Sequence, residues 1–282
     1  MQDATSLLNP YYYGGLMLLA QTLGLKTIAW GQGIGPLRRS PTRWLTRYCL
    51  HHCTAVSVRD ERSFALVKHW QIPATLAPDP VWALSREVSE DSTDAHPEKH
   101  SDHSKEHSNT VAVILRPHPL LTPTRLQAIT QALIILQQTT ECHILLVPFQ
   151  PVNDRPIATA IQTQLPGTSE IVENEDPRQL HQVFANAKFA IAMRLHGAIM
   201  AIATGCQCWA LSYDPKVTQL MQDVNLPGWE LDQLPEAHVI SQAWIQEYQQ
   251  GQPISQEKRQ SLGDRARLHQ ALQIVRRDAA VD

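Results

Sequence analysis

The strongest constraint on the fold is a rhythm. Short apolar runs bounded by turn residues alternate with longer amphipathic stretches along most of the chain. Apolar spacing predicts helices at 13–23, 41–53 and 61–70, with strands at 26–30 and 55–58. After a break the pattern resumes with strands at 111–116, 143–148, 170–172, 189–193 and 208–212. Helices at 124–139, 154–165, 177–187, 195–204 and 215–224 fall between and after them. Strand–helix alternation of this kind builds parallel sheets covered by helices, so the expected class is α/β. At about 150 residues per domain, 282 residues suggest two domains. The expected division is an N-terminal domain over 1–84, a linker or insertion over 85–109, a C-terminal domain over 110–250, and a terminal helix over 251–282.

The linker is read from composition. Residues 85–109, SREVSEDSTDAHPEKHSDHSKEHSN, carry no aromatic side chain and almost nothing apolar. Such a stretch cannot bury enough surface to offset its ordering entropy. Its histidines, among them His96, His100, His103 and His107, read as solvated rather than metal-binding. In the terminal stretch 256–277, Leu262, Ala266, His269, Leu272 and Val275 share one helical face.

Charge and cysteine content exclude several classes. Lys and Arg number 24 against 27 Asp and Glu, a formal charge of −3 that supplies no field for nucleic acid. Five cysteines without a CxxC pair read as reduced thiols in a cytoplasmic chain. Cys49 and Cys53 flank His51 and His52, but those imidazoles point away from the thiol face, so no zinc site is expected. The opening Met1-Gln2-Asp3 lacks a secretion signal. The longest apolar stretch, 189–208, is interrupted by Arg194 and His196, which makes it a poor membrane span.

Arg194 and His196 are also the most informative chemistry. They stand between an apolar strand and an apolar helix, at the strand's carboxyl end, where open parallel sheets place ligands. A guanidinium there either grips an anion, helped by helix-start N–H groups, or pairs with an internal carboxylate. His196 is suited to hydrogen bonding or proton transfer, or is a core histidine. Arg116 repeats the logic at the end of VAVILR, stopped by Pro117. Together the two arginines suit a ligand bearing both carboxylate and phosphate.

Other strand ends are weaker signals. Gly31 and Gly33 lie in GQGIGP, which permits close backbone approach but is neither a Walker loop nor a dinucleotide fingerprint. Asp60 and Asp214 read first as helix N-caps, and Asp79 as a turn residue. Lys216 sits in a first helical turn, against the dipole preference, which points to a ligand or to solvent. Trp30, Trp82 and Trp209 read as core, with sugar stacking as the alternative.

Taken in order, GQGIGPL (31–37), SVRDERS (57–63), DPVWAL (79–84), RLHGAIMAIATG (194–205) and ALSYDPKV (210–217) resemble the polysaccharide pyruvyl transferase family, most of all its CsaB-like branch. The resemblance implies two Rossmann-like halves in the GT-B manner. It also implies transfer of the pyruvyl unit of phosphoenolpyruvate onto two hydroxyls of a sugar, giving a cyclic ketal and phosphate. The implied acceptor is a cell-wall glycan or lipid-linked saccharide, with peripheral contact at the inner face of the plasma membrane. Phosphoenolpyruvate is a co-substrate, and neither metal nor organic cofactor is implied.

Residue by residue, the resemblance assigns donor binding to Arg194, His196, Arg116 and Lys216. It gives proton transfer to His196, with Asp60 as a second catalytic candidate, and leaves Gly31, Gly33, Asp79 and Asp214 to the acceptor or cleft. Family members open with a glycine-rich strand and a GNxGDE-like loop ahead of a GGGxLxQD element. This chain opens inside that last element, which implies an N-terminal half short of its first βα units, about 60 to 70 residues. Two alternatives stay open: a GT-B glycosyltransferase using a nucleotide sugar, and a truncated, inactive protein that binds phosphoenolpyruvate.

Overall fold

The computed structural model describes residues 1, 3, 8–84, 108–174 and 176–270. The expected linker up to residue 107, with its histidines, and the end of the terminal helix beyond 270 lie outside the described residues. The chain divides into two compact units, 1–83 with 260–282, and 84–259.

The first unit holds a parallel sheet in the order β1 (Ile28–Gln32), β2 (Ala55–Val58), β3 (Thr75–Leu76). Its helices are Leu8–Thr22, Ser40–His51 and Glu61–His69. Ala29, Val56, Val58, Val67, Trp70 and Ile72 form its core. β3 was not expected, because two residues are too few to show alternation. The first helix starts five residues earlier than predicted, since Pro10 is tolerated in a first turn. Helix Ser40–His51 has no side-chain cap of its own. Buried Asp3 supplies one from a distance, accepting N–H bonds from Arg38 and Arg39 and the Thr42 hydroxyl. The terminal helix ends earlier than predicted, at Ala266, and passes into a 3-10 turn over Arg267–His269. Ala266 and His269 are buried, on the face that the spacing indicated.

The second unit is a six-stranded, all-parallel sheet. Its strands are β4 (Ser108–Ile114), β5 (His143–Leu146), β6 (Ser169–Ile171), β7 (Ala187–Ala192), β8 (Gln207–Ser212) and β9 (Gly228–Glu230). They run in the order β6-β5-β4-β7-β8-β9. The chain winds outward from β4 to β6, returns to β7 beside β4, and winds outward again, which is the Rossmann order. Helices Pro123–Thr140, Pro151–Gln162, Pro177–Asn186, Leu195–Thr204 and Pro215–Val224 alternate with the strands. Thr122, Asp176 and Asp214 cap three of them through their side chains.

Sequence reading missed β9, the 3-10 turn Leu231–Gln233 and helix Ala237–Gln250 here. β9 is only GWE, with no apolar run. Helix Ala237–Gln250 is polar over much of its surface, yet Ile240, Trp244 and Tyr248 recur every four residues and are buried in the core. Trp244 has no exposed surface.

Candidate active site

The switch in winding direction lies between β4 and β7, and parallel sheets open a crevice at that point. Their pairing runs to Ile114 opposite Ala192, and Met193 N–H donates to the Ile114 carbonyl at 2.8 Å. Two residues beyond that last pair stand Arg116 and Arg194. The register therefore brings both predicted arginines to neighbouring strand ends. The loop after β8 adds Tyr213 and Asp214, the helix it leads into adds Lys216, and the loop after β5 adds Phe149 and Gln150.

Arg194 is the N-cap position of helix Leu195–Thr204, and its own side chain makes no cap bond. Its guanidinium grips Asp154 with two donors, Nε to Oδ2 at 3.0 Å and Nη2 to Oδ1 at 2.6 Å. Nη2 also donates to Gln150 Oε1 at 3.1 Å. Asp154 is only 1% exposed and Arg194 12%. A buried carboxylate of this kind needs a cation and hydrogen bonds, and the Gln150 N–H supplies a further bond at 2.9 Å. Of the two readings open for Arg194, the structure shows the internal ion pair. Among the described residues no acceptor is bonded to Nη1.

Gly197 holds the helix start against the sheet. A Cβ there would lie 3.2 Å from Ile114 Cγ2 and 3.3 Å from Phe149 Cζ. His196, between Arg194 and this contact point, is exposed in the first helical turn and is not a core histidine.

Arg116 is oriented differently. Its Nη1 donates to Tyr213 OH at 2.9 Å, and its guanidinium lies 5.2 Å from that ring's centroid. The His118 ring is 4.6 Å from the same Tyr213 ring. Burial holds the His118 imidazole below its ordinary value, the Arg116 charge lowers it further, and Asp214 opposes both. Asp214 accepts the Lys216 N–H at 3.0 Å, so it caps helix Pro215–Val224 as its sequence position indicated.

The remaining predicted residues belong to the first unit. Asp60 caps helix Glu61–His69, accepting Ser63 N–H at 2.7 Å. Asp79 is buried in an ion pair with Arg59 and accepts Val81 N–H. Gly31 has a φ of +57° and its Cβ would fall 2.7 Å from Pro80 Cγ, so both backbone and packing demand glycine. Gly33 approaches Arg59, whose Nε would lie 2.9 Å from a Cβ. These glycines pack on protein atoms. Buried His269 bonds Ser57 Oγ and the Pro78 carbonyl beside them. Of the tryptophans, Trp82 is buried and Trp209 packs on Trp229. Trp30 departs from its core reading: it is exposed on one side, with its indole N–H donated to the His269 carbonyl.

Sequence reading missed Asp154, Gln150 and Tyr213. Asp154 is 40 residues from its arginine, and nothing local marks it.

Residues 1–215 match the family described as polysaccharide pyruvyl transferase, well over half of the chain. The chain belongs to this family. The matched span contains every residue of the β4–β7 switch described above up to Pro215. Solved structures with the same fold are remote in sequence. UDP-GlcNAc 2-epimerase from Neisseria meningitidis, bound to UDP-GlcNAc, is 11% identical with a TM-score of 0.62, over 93% of this chain and 73% of the epimerase. The Methanocaldococcus jannaschii UDP-GlcNAc 2-epimerase in complex with UDP-GlcNAc and UDP is 10% identical, TM-score 0.61, over 92% and 71%. Anabaena Alr3699/HepE in complex with UDP is 11% identical, TM-score 0.53, over 96% and 77%. At these identities the likeness shows the fold: parallel-sheet, Rossmann-like α/β units in this member of the pyruvyl transferase family.

Proposed function

We propose that the chain is a pyruvyl ketal transferase. In this reading it moves the pyruvyl group of phosphoenolpyruvate onto two hydroxyls of a cell-wall or exopolysaccharide sugar, releasing phosphate. The observation that carries the reading is the register of Arg116 and Arg194 at the β4–β7 switch. Two guanidinium groups beside a helix N-terminus suit a small ligand that is both carboxylate and phosphate. Asp154 and Gln150 fix the Arg194 plane and leave Nη1 for the ligand, while Tyr213 positions Arg116.

The chemistry follows from the ligand. The methylene carbon of phosphoenolpyruvate takes a proton, leaving an oxocarbenium-like centre at the carbon bearing phosphate. One sugar hydroxyl adds there, the bond to the phosphate oxygen breaks, and the second hydroxyl closes the ketal. Of the two hydroxyl protons, one balances the proton consumed and the other leaves with phosphate. His196, exposed on the helix turn that follows Arg194, is the proton carrier in this scheme. In this reading Lys216 adds positive charge to the donor site, Asp60 is the second catalytic candidate, and Gly31, Gly33, Asp79 and Asp214 are candidates for acceptor contact. The acceptor is a glycan or lipid-linked saccharide, met at the cytoplasmic face of the membrane. The scheme needs no metal or organic cofactor.

Calorimetric titration with phosphoenolpyruvate tests the donor site. Saturable binding that is lost in Arg194→Ala and in Arg116→Ala supports it. Both variants are needed, because Arg194→Ala also strips buried Asp154 of its partner. No binding by the folded chain rejects the reading. The solved relatives described as binding UDP or UDP-GlcNAc supply the competing ligand. Binding of UDP-GlcNAc in place of phosphoenolpyruvate would favour a nucleotide-sugar enzyme, and binding without phosphate release would favour an inactive binding protein.

A further inference from the structure

Beyond β4 the chain reads Arg116-Pro117-His118-Pro119. Each proline fixes its own φ and restricts the residue before it to extended backbone, so Arg116 and His118 leave the strand on a stiff segment. The segment ends in a turn, in which Leu121 N–H donates to the His118 carbonyl at 2.8 Å. Arg125, from the following helix, holds that turn by donating Nη1 to the Leu120 carbonyl at 2.8 Å. Leu120 and Leu121 pack on the core of the second unit.

The imidazole is fixed as firmly as the backbone. Leu120 N–H donates to His118 Nδ1 at 3.2 Å. A ring nitrogen that accepts carries no proton, so this bond assigns the proton of the neutral ring to Nε2. The ring centroid lies 4.6 Å from that of Tyr213, whose hydroxyl accepts Arg116 Nη1 at 2.9 Å. Burial and the Arg116 charge hold the imidazole below its ordinary value, against the pull of Asp214, so the neutral form prevails at neutral pH. His118 is partly exposed, and among the described residues Nε2 has no hydrogen-bond acceptor.

The turn uses only Nδ1. The opposite nitrogen is an oriented N–H donor on the ring packed against Tyr213, which also carries Arg116. A neutral ring offers a hydrogen bond without repelling the guanidinium, as a second cation would. We infer that His118 is a further ligand-binding residue of the donor site, its neutral Nε2–H donating to an oxyanion of phosphoenolpyruvate beside Arg116. The inference rests on the donor-site reading proposed above, and it leaves proton transfer with His196.

Two variants separate the nitrogens. In His118→Asn the side-chain oxygen takes the place of Nδ1 and keeps the Leu120 bond, while the Nε2 donor is lost. In His118→Gln the longer amide carries an N–H donor to the position of Nε2. Calorimetric titration of the full chain with phosphoenolpyruvate should show His118→Asn weakened about tenfold or more, and His118→Gln close to the unaltered protein. NMR gives a second measurement that needs no variant to bind. Saturation with phosphoenolpyruvate should raise the His118 midpoint, because an anion at Nε2–H favours the imidazolium. The inference is overturned if His118→Asn binds normally, if His118→Gln loses as much as His118→Asn, or if saturation leaves the midpoint where it was. In each of those cases the unaltered protein still binds phosphoenolpyruvate and the donor-site reading stands. Absence of binding by the unaltered protein removes that reading, and this inference with it.

Discussion

The two units use the same βα rhythm and treat their apolar residues very differently. In the second, six strands carry helices that bury Val111, Phe189, Ile191 and Trp244 essentially completely. In the first, three strands support a helix, Leu8–Thr22, that is just as apolar and yet exposes most of its large side chains. Hydrophobic content alone does not create a core; a second layer must be present to receive it.

The largest expected contrast tests that difference directly. Trp244→Ala should destabilise the second unit by about 3–5 kcal/mol, through lost transfer energy and the cavity left behind. Leu19→Ser on the exposed side of helix Leu8–Thr22 should change stability by less than about 0.5 kcal/mol. Amide exchange resolved along the chain reads each unit by itself, and equal losses would erase the contrast.

Next comes a likeness between the units. Each holds a buried arginine–aspartate pair, Arg194 with Asp154 and Arg59 with Asp79. Asp154→Ala or Asp79→Ala leaves a poorly hydrated guanidinium and should cost about 3 kcal/mol in the unit that contains it. Only Asp154→Ala is expected to weaken phosphoenolpyruvate binding as well. Calorimetry on the folded variants distinguishes that outcome from two merely structural pairs.

A smaller effect depends on pH. Burial disfavours the charged form of Asp3, but the bonds from Arg38, Arg39 and Thr42 outweigh it and hold the carboxyl below its ordinary value of 3.8. A depressed carboxylate stabilises the folded state above its unfolded value, and that contribution is lost as pH falls through the folded value. Asp3→Asn should therefore cost the first unit about 1 kcal/mol at neutral pH. The gap should close below pH 3.8. Thermal melts across that range check it, and a gap that persists in acid would deny the capping role.

The smallest effect is spectroscopic. His118 is held below its ordinary value of 6.5 by burial and by Arg116, so its imidazole should titrate in NMR below that pH. Arg116→Ala should move the midpoint upward. No movement would mean that Arg116 does not reach the ring's field.

Strand existence, the α/β class and the caps at Asp60 and Asp214 were legible because each rests on residues within one or two turns of each other. Arg116 and Arg194 were legible as strand-end cations by the same local logic. β3 and β9 were not, since two or three residues hold no period. Helix Ala237–Gln250 was overlooked although Ile240, Trp244 and Tyr248 carried a signal at every fourth position. Trp30 departs from a core role because its ring lies on the exposed side of β1, with the indole N–H donated to the His269 carbonyl.

Sequence by itself therefore determined most of the longer periodic elements of both units, the α/β class and the family, all of which follow from local periodicity and ordered motifs. Tertiary structure alone decided that β7 returns to β4, which brings Arg116 beside Arg194. It alone supplied Asp154 to Arg194 from 40 residues away, Asp3 to the Ser40–His51 helix, and Ser57 to His269. Such pairings are set by which strands and helices neighbour each other, and a charge buried by that arrangement must find its partner wherever the chain passes, not where the sequence is near.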